Sequence, residues 1–166
     1  MKRFLLAPMS ILFLMLFMLL SFNSPAMALH PGTLLEVKNY GGFVTPEFVG
    51  HENGVRVLRN GIVIAFNKKN DLSTENSIIV ASLAPTVMRK LLDLVKYTEA
   101  GELLDENPDA PMCADIPTTD YALRQTDGTI ITFASDRNCK KYFIADYRSR
   151  GLRDLLAGFQ SLNLLQ

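Results

Sequence analysis

Two turn signals flanked by strand-like runs are the clearest hydrophobic pattern in this chain. The runs and their turns are residues 55–59 and 62–66 around Asn60-Gly61, and residues 120–125 and 129–134 around Asp127-Gly128. β-branched and aromatic residues, which favour strands, are frequent in these runs. An Asn-Gly pair between such runs is typical of a two-residue type I′ turn, which needs a positive φ at both central residues. The pattern therefore predicts two tight β-hairpins.

Two later stretches have the periodicity of amphipathic helices. In each of them, four apolar residues fall at positions i, i+3, i+4 and i+7, which lie on one face of a helix. The two sets are Met88, Leu91, Leu92 and Val95, and Leu152, Leu155, Leu156 and Phe159. Since the other faces are polar, each helix is expected to cover a sheet with one face only.

Three further apolar stretches, at residues 34–38, 78–80 and 142–144, predict additional short strands, and the middle one is expected to be buried. Tight hairpins require antiparallel pairing of their strands. The predicted fold class is therefore α+β: an antiparallel sheet with two amphipathic helices packed on one face, built from two hairpin–helix units. Gly61 and Gly128 are 67 residues apart, a spacing that leaves an internal duplication open.

Residues 1–28 have the three regions of an export signal. Lys2 and Arg3 give a positive start, and residues 11–20 form an unbroken apolar run. Small residues in Ala26-Met27-Ala28 occupy positions −3 and −1 of a cleavage site. This arrangement predicts a signal peptide that is cleaved near Ala28.

Cleavage at this position would leave residues 29–166 as a single domain in the periplasm or outside the cell. An uncleaved membrane anchor is the alternative, because residues 4–22 are nearly long enough to span a bilayer. After cleavage, no membrane association is expected.

The two cysteines take their meaning from the predicted export. In an oxidising compartment an even number of cysteines indicates disulfides, so Cys113 and Cys139 are predicted to be bonded to each other. Two free or metal-binding thiols are the alternative. Two cysteines without a nearby histidine supply too few ligands for a zinc site.

Charge and composition exclude other classes of function. The 166 residues include 17 basic and 17 acidic side chains, and this balance argues against a nucleic-acid partner, which needs a clustered positive excess. No Gly-rich phosphate loop precedes a predicted helix, and no Gly-x-Ser-x-Gly motif is present. We predict no catalytic, metal-binding or cofactor-binding residues, and an enzyme is disfavoured.

A few titratable residues keep a catalytic alternative open. His51 lies in a polar stretch, and Asp105, Glu106 and Asp109 form the one acidic cluster. This cluster lacks the glycine of a calcium loop. A hydrolase acting on cell-envelope polymers would use Asp115, His51 or the acidic cluster.

Three short motifs carry a resemblance to known proteins. They are Gly41-Gly42-Phe43-Val44, the segment Asn60-Gly61-Ile62-Val63-Ile64, and residues 113–119, Cys-Ala-Asp-Ile-Pro-Thr-Thr. With these motifs the chain resembles small exported bacterial proteins of unknown function over nearly all of residues 29–166. The Gly-Gly-Phe segment and the element order are also distantly similar to emfourin-type inhibitors of thermolysin-like proteases. This second resemblance implies peptidase inhibition but transfers no inhibitory residue to this chain.

The stretch 43–54 carries the functional prediction. Phe43, Val44, Phe48 and Val49 are apolar residues in a segment with turn chemistry, and His51 follows them. If exposed, they form an apolar patch of the kind that marks a partner site; the alternative is that they pack into the core. We therefore predict an exported, non-enzymatic module that binds another exported protein, a peptidase being the narrower candidate. The alternatives are the envelope hydrolase and a small structural or ligand-binding envelope domain, and the sequence predicts no oligomeric state.

Overall fold

The computed structural model describes residues 29–41, 50–69, 75–114 and 116–163, with side chains up to residue 161. The predicted signal peptide and the residues Phe43, Val44, Phe48 and Val49 lie outside this part of the chain. The elements are, in chain order, β1 (Thr33–Tyr40), β2 (Glu52–Leu58), β3 (Ile62–Lys68), β4 (Glu75–Ser82), α1 (Pro85–Tyr97), β5 (Leu104–Asp105), β6 (Thr118–Arg124), β7 (Ile130–Arg137), β8 (Lys140–Phe143) and α2 (Arg148–Asn163). Among the described residues, no helix is both long and apolar enough to cross a membrane.

Eight antiparallel strands form one sheet in the order β4-β3-β2-β1-β6-β7-β8-β5. β1 lies inside the sheet, where it pairs with β2 on one side and with β6 on the other. β5 is only two residues long and pairs with β8 at one edge, whereas β4 forms the other edge. The predicted α+β class with an antiparallel sheet is confirmed.

Both helices pack on one face of the sheet. Alternation along the strands directs Leu35 and Val37 of β1 toward this face, and α2 crosses β1, β2, β3 and β7 there. The helix residues that join these strands in one core are Met88, Leu91 and Val95 of α1, and Leu152 and Leu156 of α2. Leu92 is exposed, contrary to its predicted place on the buried face, because it lies at the margin of the apolar stripe.

The two predicted hairpins form, but neither uses a type I′ turn. In the first, the N–H of Gly61 donates to the carbonyl of Leu58 at 2.9 Å, and Gly61 has a φ of 85° whereas Asn60 has a negative φ. This geometry is a type I turn followed by a left-handed glycine, which closes a three-residue loop. In the second, Gly128 has a φ of 91° and donates to Gln125 at 3.1 Å. The predicted turn type is therefore wrong, since glycine follows the turn instead of sitting at its centre.

A tight turn without glycine joins β7 to β8, and both of its central residues have the left-handed backbone conformation. Arg137 pairs with Lys140, and the two residues between them, Asn138 and Cys139, have φ values of 53° and 63°. Cys139 is bonded to Cys113, with the two Cα atoms 5.4 Å apart. The predicted disulfide is therefore confirmed, and it ties the segment before β6 to this turn.

The sheet face opposite the helices carries connected charged and aromatic side chains. Arg56 donates to Glu36 at 2.5 Å and also to Glu75, and its guanidinium lies 3.8 Å from the centre of the Phe66 ring. Phe66 lies opposite Gly54, where an added Cβ would come within 1.9 Å of a carbonyl oxygen of β1. Burial raises the pKa of Glu36, and the hydrogen bond from Arg56 opposes this rise. Arg56 therefore supplies the counter-charge that Glu36 needs in this position.

The stretch Ile78-Ile79-Val80 lies in a strand, as predicted, but the prediction that this strand is short and buried is wrong. It belongs to the eight-residue edge strand β4, in which Ile78 is 53% and Ile79 is 68% exposed. Only Val80 of the three packs partly against the core. A short apolar run does not distinguish a central strand from an edge strand, because the hydrophobic pattern contains no information on strand order.

The topology gives no support to an internal duplication. β2 and β6 both run antiparallel to β1 and flank it, so the two hairpin–helix units extend outward in opposite directions. A rotation about an axis along β1 would exchange these strands, but it would also exchange the two faces of the sheet. Both helices lie on one face, so this rotation does not relate the two units.

Candidate functional site

A row of polar side chains crosses the sheet on the face that the helices cover, beyond the end of the core. Residues directly opposite each other on paired strands point to the same face. On four neighbouring strands, each of these residues is an asparagine, and threonine continues the row on the fifth strand. We call this set the asparagine row: Asn76 on β4, Asn67 on β3, Asn53 on β2, Asn39 on β1 and Thr119 on β6.

The alternation that builds the core also builds the asparagine row. On β1, Leu35 and Val37 point into the core, and Asn39 follows two residues later on the same face. β2 and β3 repeat this arrangement, with an asparagine two residues beyond the last core residue. The apolar face of the sheet therefore passes directly into a hydrogen-bonding surface.

Part of the asparagine row is already hydrogen-bonded. Thr119 Oγ1 donates to Asn39 Oδ1 at 2.8 Å, and Asn39 Nδ2 donates to Asn53 Oδ1 at 2.9 Å. These bonds fix the amide plane of Asn39 and direct Nδ2 of Asn53 away from Asn39. The amides of Asn53 and Asn67 are exposed, and within the described part of the chain Asn67 makes no side-chain hydrogen bond. Donor and acceptor groups at this end of the row therefore remain available to a ligand.

Four residues of the asparagine row, Asn39, Asn53, Asn67 and Thr119, line an open cleft of about 650 Å³. This volume falls in the range of small-molecule and short-segment binding sites. Ile116 and Pro117, which precede β6, supply the apolar part of its lining. The described lining residues are Asn39, Tyr40, Gly41, His51, Asn53, Asn67, Ile116, Pro117 and Thr119.

The described lining of the cleft contains no Asp, Glu, Lys or Arg. Tyr40 follows Asn39 in β1, so its ring lies on the opposite face of the sheet, where its hydroxyl donates to Asp120 at 2.5 Å. Burial, together with this bond and the charge of Asp120, raises the pKa of Tyr40, so the phenol stays protonated. Ser135 donates to the same carboxylate at 2.6 Å. Among its described residues, the cleft thus offers mainly amide and hydroxyl groups as hydrogen-bond donors and acceptors.

Of the predicted partner-binding residues, the described part of the chain includes His51, which is half-buried and lines the cleft. Phe43, Val44, Phe48 and Val49 lie outside the described residues. Gly41 and Gly50, on either side of that segment, both have positive φ, at 70° and 78°. Gly41 and His51, which follows Gly50, both line the cleft, so both ends of the segment are next to it.

Among the described residues of the hydrolase alternative, His51 and the acidic cluster are not brought together. Asp105 accepts a hydrogen bond from Lys140 at 2.8 Å, which lowers the pKa of Asp105, and Glu106 pairs with Arg150 at 3.1 Å. These carboxylates lie at the β5 edge of the sheet. His51 directly precedes β2, which is five strands from β5, so about 24 Å separates the two sites at the usual strand spacing. Asp115 lies outside the described residues. Among the residues that are described, no group of three His, Cys, Asp or Glu side chains could hold a metal ion.

Comparison with protein families, with curated proteins and with solved structures finds no significant match to this chain.

The sequence patterns that predicted the hairpins did not identify the asparagine row. Asn39, Asn53 and Asn67 are spaced 14 residues apart, and each lies two residues, one alternation step, from a core residue of its strand. This signal is visible once the strands are known. The spacing shows which asparagines lie opposite each other only when the register of the strands is also known. That register depends on the three-residue loop closed by Gly61 and on other turns.

Proposed function

We propose that this protein is an exported, non-enzymatic module that binds a segment of another exported protein in the cleft above the asparagine row. The observation that carries the proposal is the row itself, in which several amide side chains lie in register on adjacent strands. Inhibition of a peptidase is the narrower form of this function, in which the bound segment belongs to the peptidase.

The chemistry of the row favours a peptide ligand. An asparagine side chain presents one carbonyl acceptor and an NH₂ donor, the same groups that a peptide main chain presents. A protein segment lying across the row exchanges hydrogen bonds with water for hydrogen bonds with amides, so its main chain stays satisfied. Ile116 and Pro117 give an apolar side chain of that segment a surface to pack against.

The described lining contains no Asp, Glu, Lys or Arg, and this composition disfavours strongly charged ligands. A phosphate or a carboxylate that enters the cleft loses hydration and meets no opposite charge among the described lining residues. The exposed positions of Asn53 and Asn67 allow entry without opening of the core. Phe43, Val44, Phe48 and Val49, in the segment between Gly41 and Gly50, are expected to add apolar contacts to the bound segment.

The test compares capture of envelope proteins by immobilised purified protein and by two variants. The cleft variant carries Asn53→Leu and Asn67→Leu, which remove exposed amides without touching the core. The control is Asn107→Leu, an exposed asparagine in the loop near the opposite edge. We expect one or more proteins to be retained by the wild type and by the control, and to be lost from the cleft variant.

Equal retention of envelope proteins by the immobilised wild type, the cleft variant and the control would contradict the proposal. The captured protein is then titrated directly by calorimetry, where the cleft variant should bind at least tenfold more weakly. If the retained material survives protease treatment of the extract and contains sugar, the ligand is a glycan and not a peptide. The narrower form requires inhibition of secreted metallopeptidases, and inactivity across a broad panel would leave only the general binding function.

A further inference from the structure

The cleft has an apolar wall that lies directly before β6. Ile116 and Pro117 form this wall, and β6 begins with the next residue, Thr118. Thr118 pairs with Tyr40 of β1, so the sheet holds the end of the wall that leads into β6. Proline has no backbone N–H and cannot extend the ladder of β6 backwards. The position of the apolar wall therefore depends on how the chain before it is attached.

The chain before the apolar wall is attached at Cys113. This residue is bonded to Cys139, with the two Cα atoms 5.4 Å apart, and its N–H donates to the carbonyl of Asn138 at 3.0 Å. Farther upstream, the next described hydrogen bond to the sheet runs from Nζ of Lys140 to the carbonyl of Pro108, at 2.7 Å. The disulfide therefore holds the upstream end of the apolar wall against the turn between β7 and β8.

The turn between β7 and β8 is a firm anchor for this attachment. Arg137 and Lys140 pair directly, so Asn138 and Cys139 form the whole connection between the two strands. A two-residue hairpin turn leaves its residues little freedom, because both strands fix their ends. Without the disulfide, the described hydrogen bond that still ties the chain before the apolar wall to this turn is the one donated by Cys113.

The disulfide is accessible to a thiol reagent, since Cys139 is exposed and Cys113 is half-buried. Exposed disulfides are among those that are reduced most readily. A dithiol such as dithiothreitol reduces them in two exchange steps. One thiolate of the reagent attacks Sγ of Cys139 and releases Cys113, and the second thiol then displaces Cys139 and closes the reagent's own disulfide. The protein gains two electrons and two protons.

We propose that the disulfide between Cys113 and Cys139 is a reducible clasp that positions the apolar wall, so that the cleft binds its protein segment tightly only in the oxidised state. The inference rests on the proposed function, because it concerns the same cleft. Asn39 and Asn53 are held by the pairing of β1 with β2 and by their own hydrogen bond, and not by the clasp. Reduction is therefore expected to remove the apolar contact and to leave these amides in place.

Amide hydrogen exchange measured by NMR tests the clasp without any ligand. The amide of Cys113 is hydrogen-bonded in the bridged protein, so we expect it to exchange at least tenfold faster after reduction with dithiothreitol. Amides of β1 and β2 should keep their rates. The variant Cys113→Ala/Cys139→Ala should not respond to the reagent, and its β1 and β2 amides should exchange as in the reduced wild type.

Three results of this measurement would overturn the proposal. They are a disulfide that the reagent cannot reduce in the folded protein, an unchanged rate at Cys113, and rates that rise equally in β1 and β2. The last of these would mean that the disulfide holds the whole fold and not the apolar wall in particular.

Calorimetry then measures binding of the envelope protein that the wild type captures. The bridged wild type and the variant Cys113→Ala/Cys139→Ala are compared without any reductant, so disulfides of the captured protein stay intact. We expect the variant to bind at least tenfold more weakly. Ile116→Ala, made in both backgrounds, should weaken the bridged protein by a similar factor and the bridgeless one much less, because both changes remove the same contact.

The clasp and the proposed function can fail separately. A captured protein that binds the bridged and bridgeless proteins equally would overturn the clasp and leave the proposed function standing. If neither form captures a protein although the amide of Cys113 responds to reduction as expected, the proposed function fails, whereas the effect of the disulfide on the apolar wall is supported.

Discussion

Asn39 and Asn53 face each other on adjacent strands, and Nδ2 of Asn39 donates to Oδ1 of Asn53 at 2.9 Å. Asn39 also accepts from Thr119 at 2.8 Å, so one amide connects three strands. Asn67, one strand further along, makes no side-chain hydrogen bond within the described residues. The asparagine row therefore has a structural end and a free end, and the two ends should respond differently to substitution.

Asn39→Ala is expected to lower the free energy of unfolding by about 1–2 kcal/mol, since it removes two neutral hydrogen bonds at a half-buried position. Asn67→Ala is the matched control and should change stability by less than about 0.5 kcal/mol, as an exposed residue without such bonds. Urea unfolding measures both values. Equal costs for the two substitutions would mean that the hydrogen bonds at Asn39 do not hold in solution.

The local alternation along single strands could be predicted from sequence, whereas pairing between strands could not. The alternation Leu35, Val37, Asn39 is visible in β1 alone. That Asn39 lies opposite Asn53 depends on register, which is set by turns and bulges remote from both residues. This is why the core and the helices were anticipated, while the asparagine row was not.

The same limit explains two other differences. Ile78 and Ile79 have the composition of a buried strand, and only the order of the strands places them at an edge. Asn138 and Cys139 occupy a type of turn that usually contains glycine. No glycine is present here, and Cys139 forms a disulfide, so the turn was not predicted from the sequence. The disulfide could be predicted from composition. Its formation depends on the number of cysteines and on the redox compartment, and neither of these is a local property of backbone conformation.

Gly54→Ala should destabilise the protein strongly, because an added Cβ would lie 1.9 Å from the carbonyl oxygen of Val37 and 3.0 Å from Cζ of Phe66. Backbone does not move aside as a flexible side chain does, so we expect a loss of about 2–3 kcal/mol or more. Gly151→Ala in α2 should have the opposite sign. An added Cβ there meets no atom within 4 Å, and alanine favours the helix by about 0.5–1 kcal/mol.

Thermal or urea unfolding of the two glycine variants measures this contrast. The pair controls for any general effect of replacing glycine by alanine. Similar stabilities of Gly54→Ala and the wild type would show that β1 and β2 are not packed as closely as the structure has them.

The turn at Cys139 can be examined separately from its disulfide. In a Cys113→Ala background, where no bridge can form, Cys139→Gly should be more stable than Cys139→Ala by about 1 kcal/mol. The reason is that a φ of 63° is sterically unfavourable for a residue with a Cβ atom, whereas glycine adopts it without a free-energy penalty. Both double variants should be less stable than the bridged wild type by about 3 kcal/mol, because the bridge closes a 26-residue separation.

Urea unfolding of the two double variants and the wild type provides the comparison. A Gly variant no more stable than the Ala variant would mean that the left-handed conformation of residue 139 is imposed by the bridge and is lost without it.

Asp146 connects the two helices. Its carboxylate accepts from the N–H of Arg148 at 2.9 Å, at the start of α2, and from the N–H of Glu99 at 3.1 Å, just after α1. Burial alone would raise the pKa of Asp146, but these two N–H groups and the guanidinium of Arg148 outweigh it and bring the pKa below its ordinary value of 3.8. Asp146→Ala should therefore cost about 1–2 kcal/mol at neutral pH, the usual effect of losing a helix-capping carboxylate.

The pH dependence of this loss has a definite sign. Because the folded carboxyl binds its proton less tightly than the unfolded one, the stabilisation by Asp146 is present well above pH 3.8 and is lost as the pH falls through the folded pKa. The difference in unfolding free energy between the wild type and Asp146→Ala should thus be constant from pH 7 to about pH 5 and shrink below pH 4. Asp154→Ala, which removes an exposed carboxylate paired with Arg153, should show a small difference throughout. A difference for Asp146 that grows on acidification would contradict the hydrogen bonds assigned to its carboxylate.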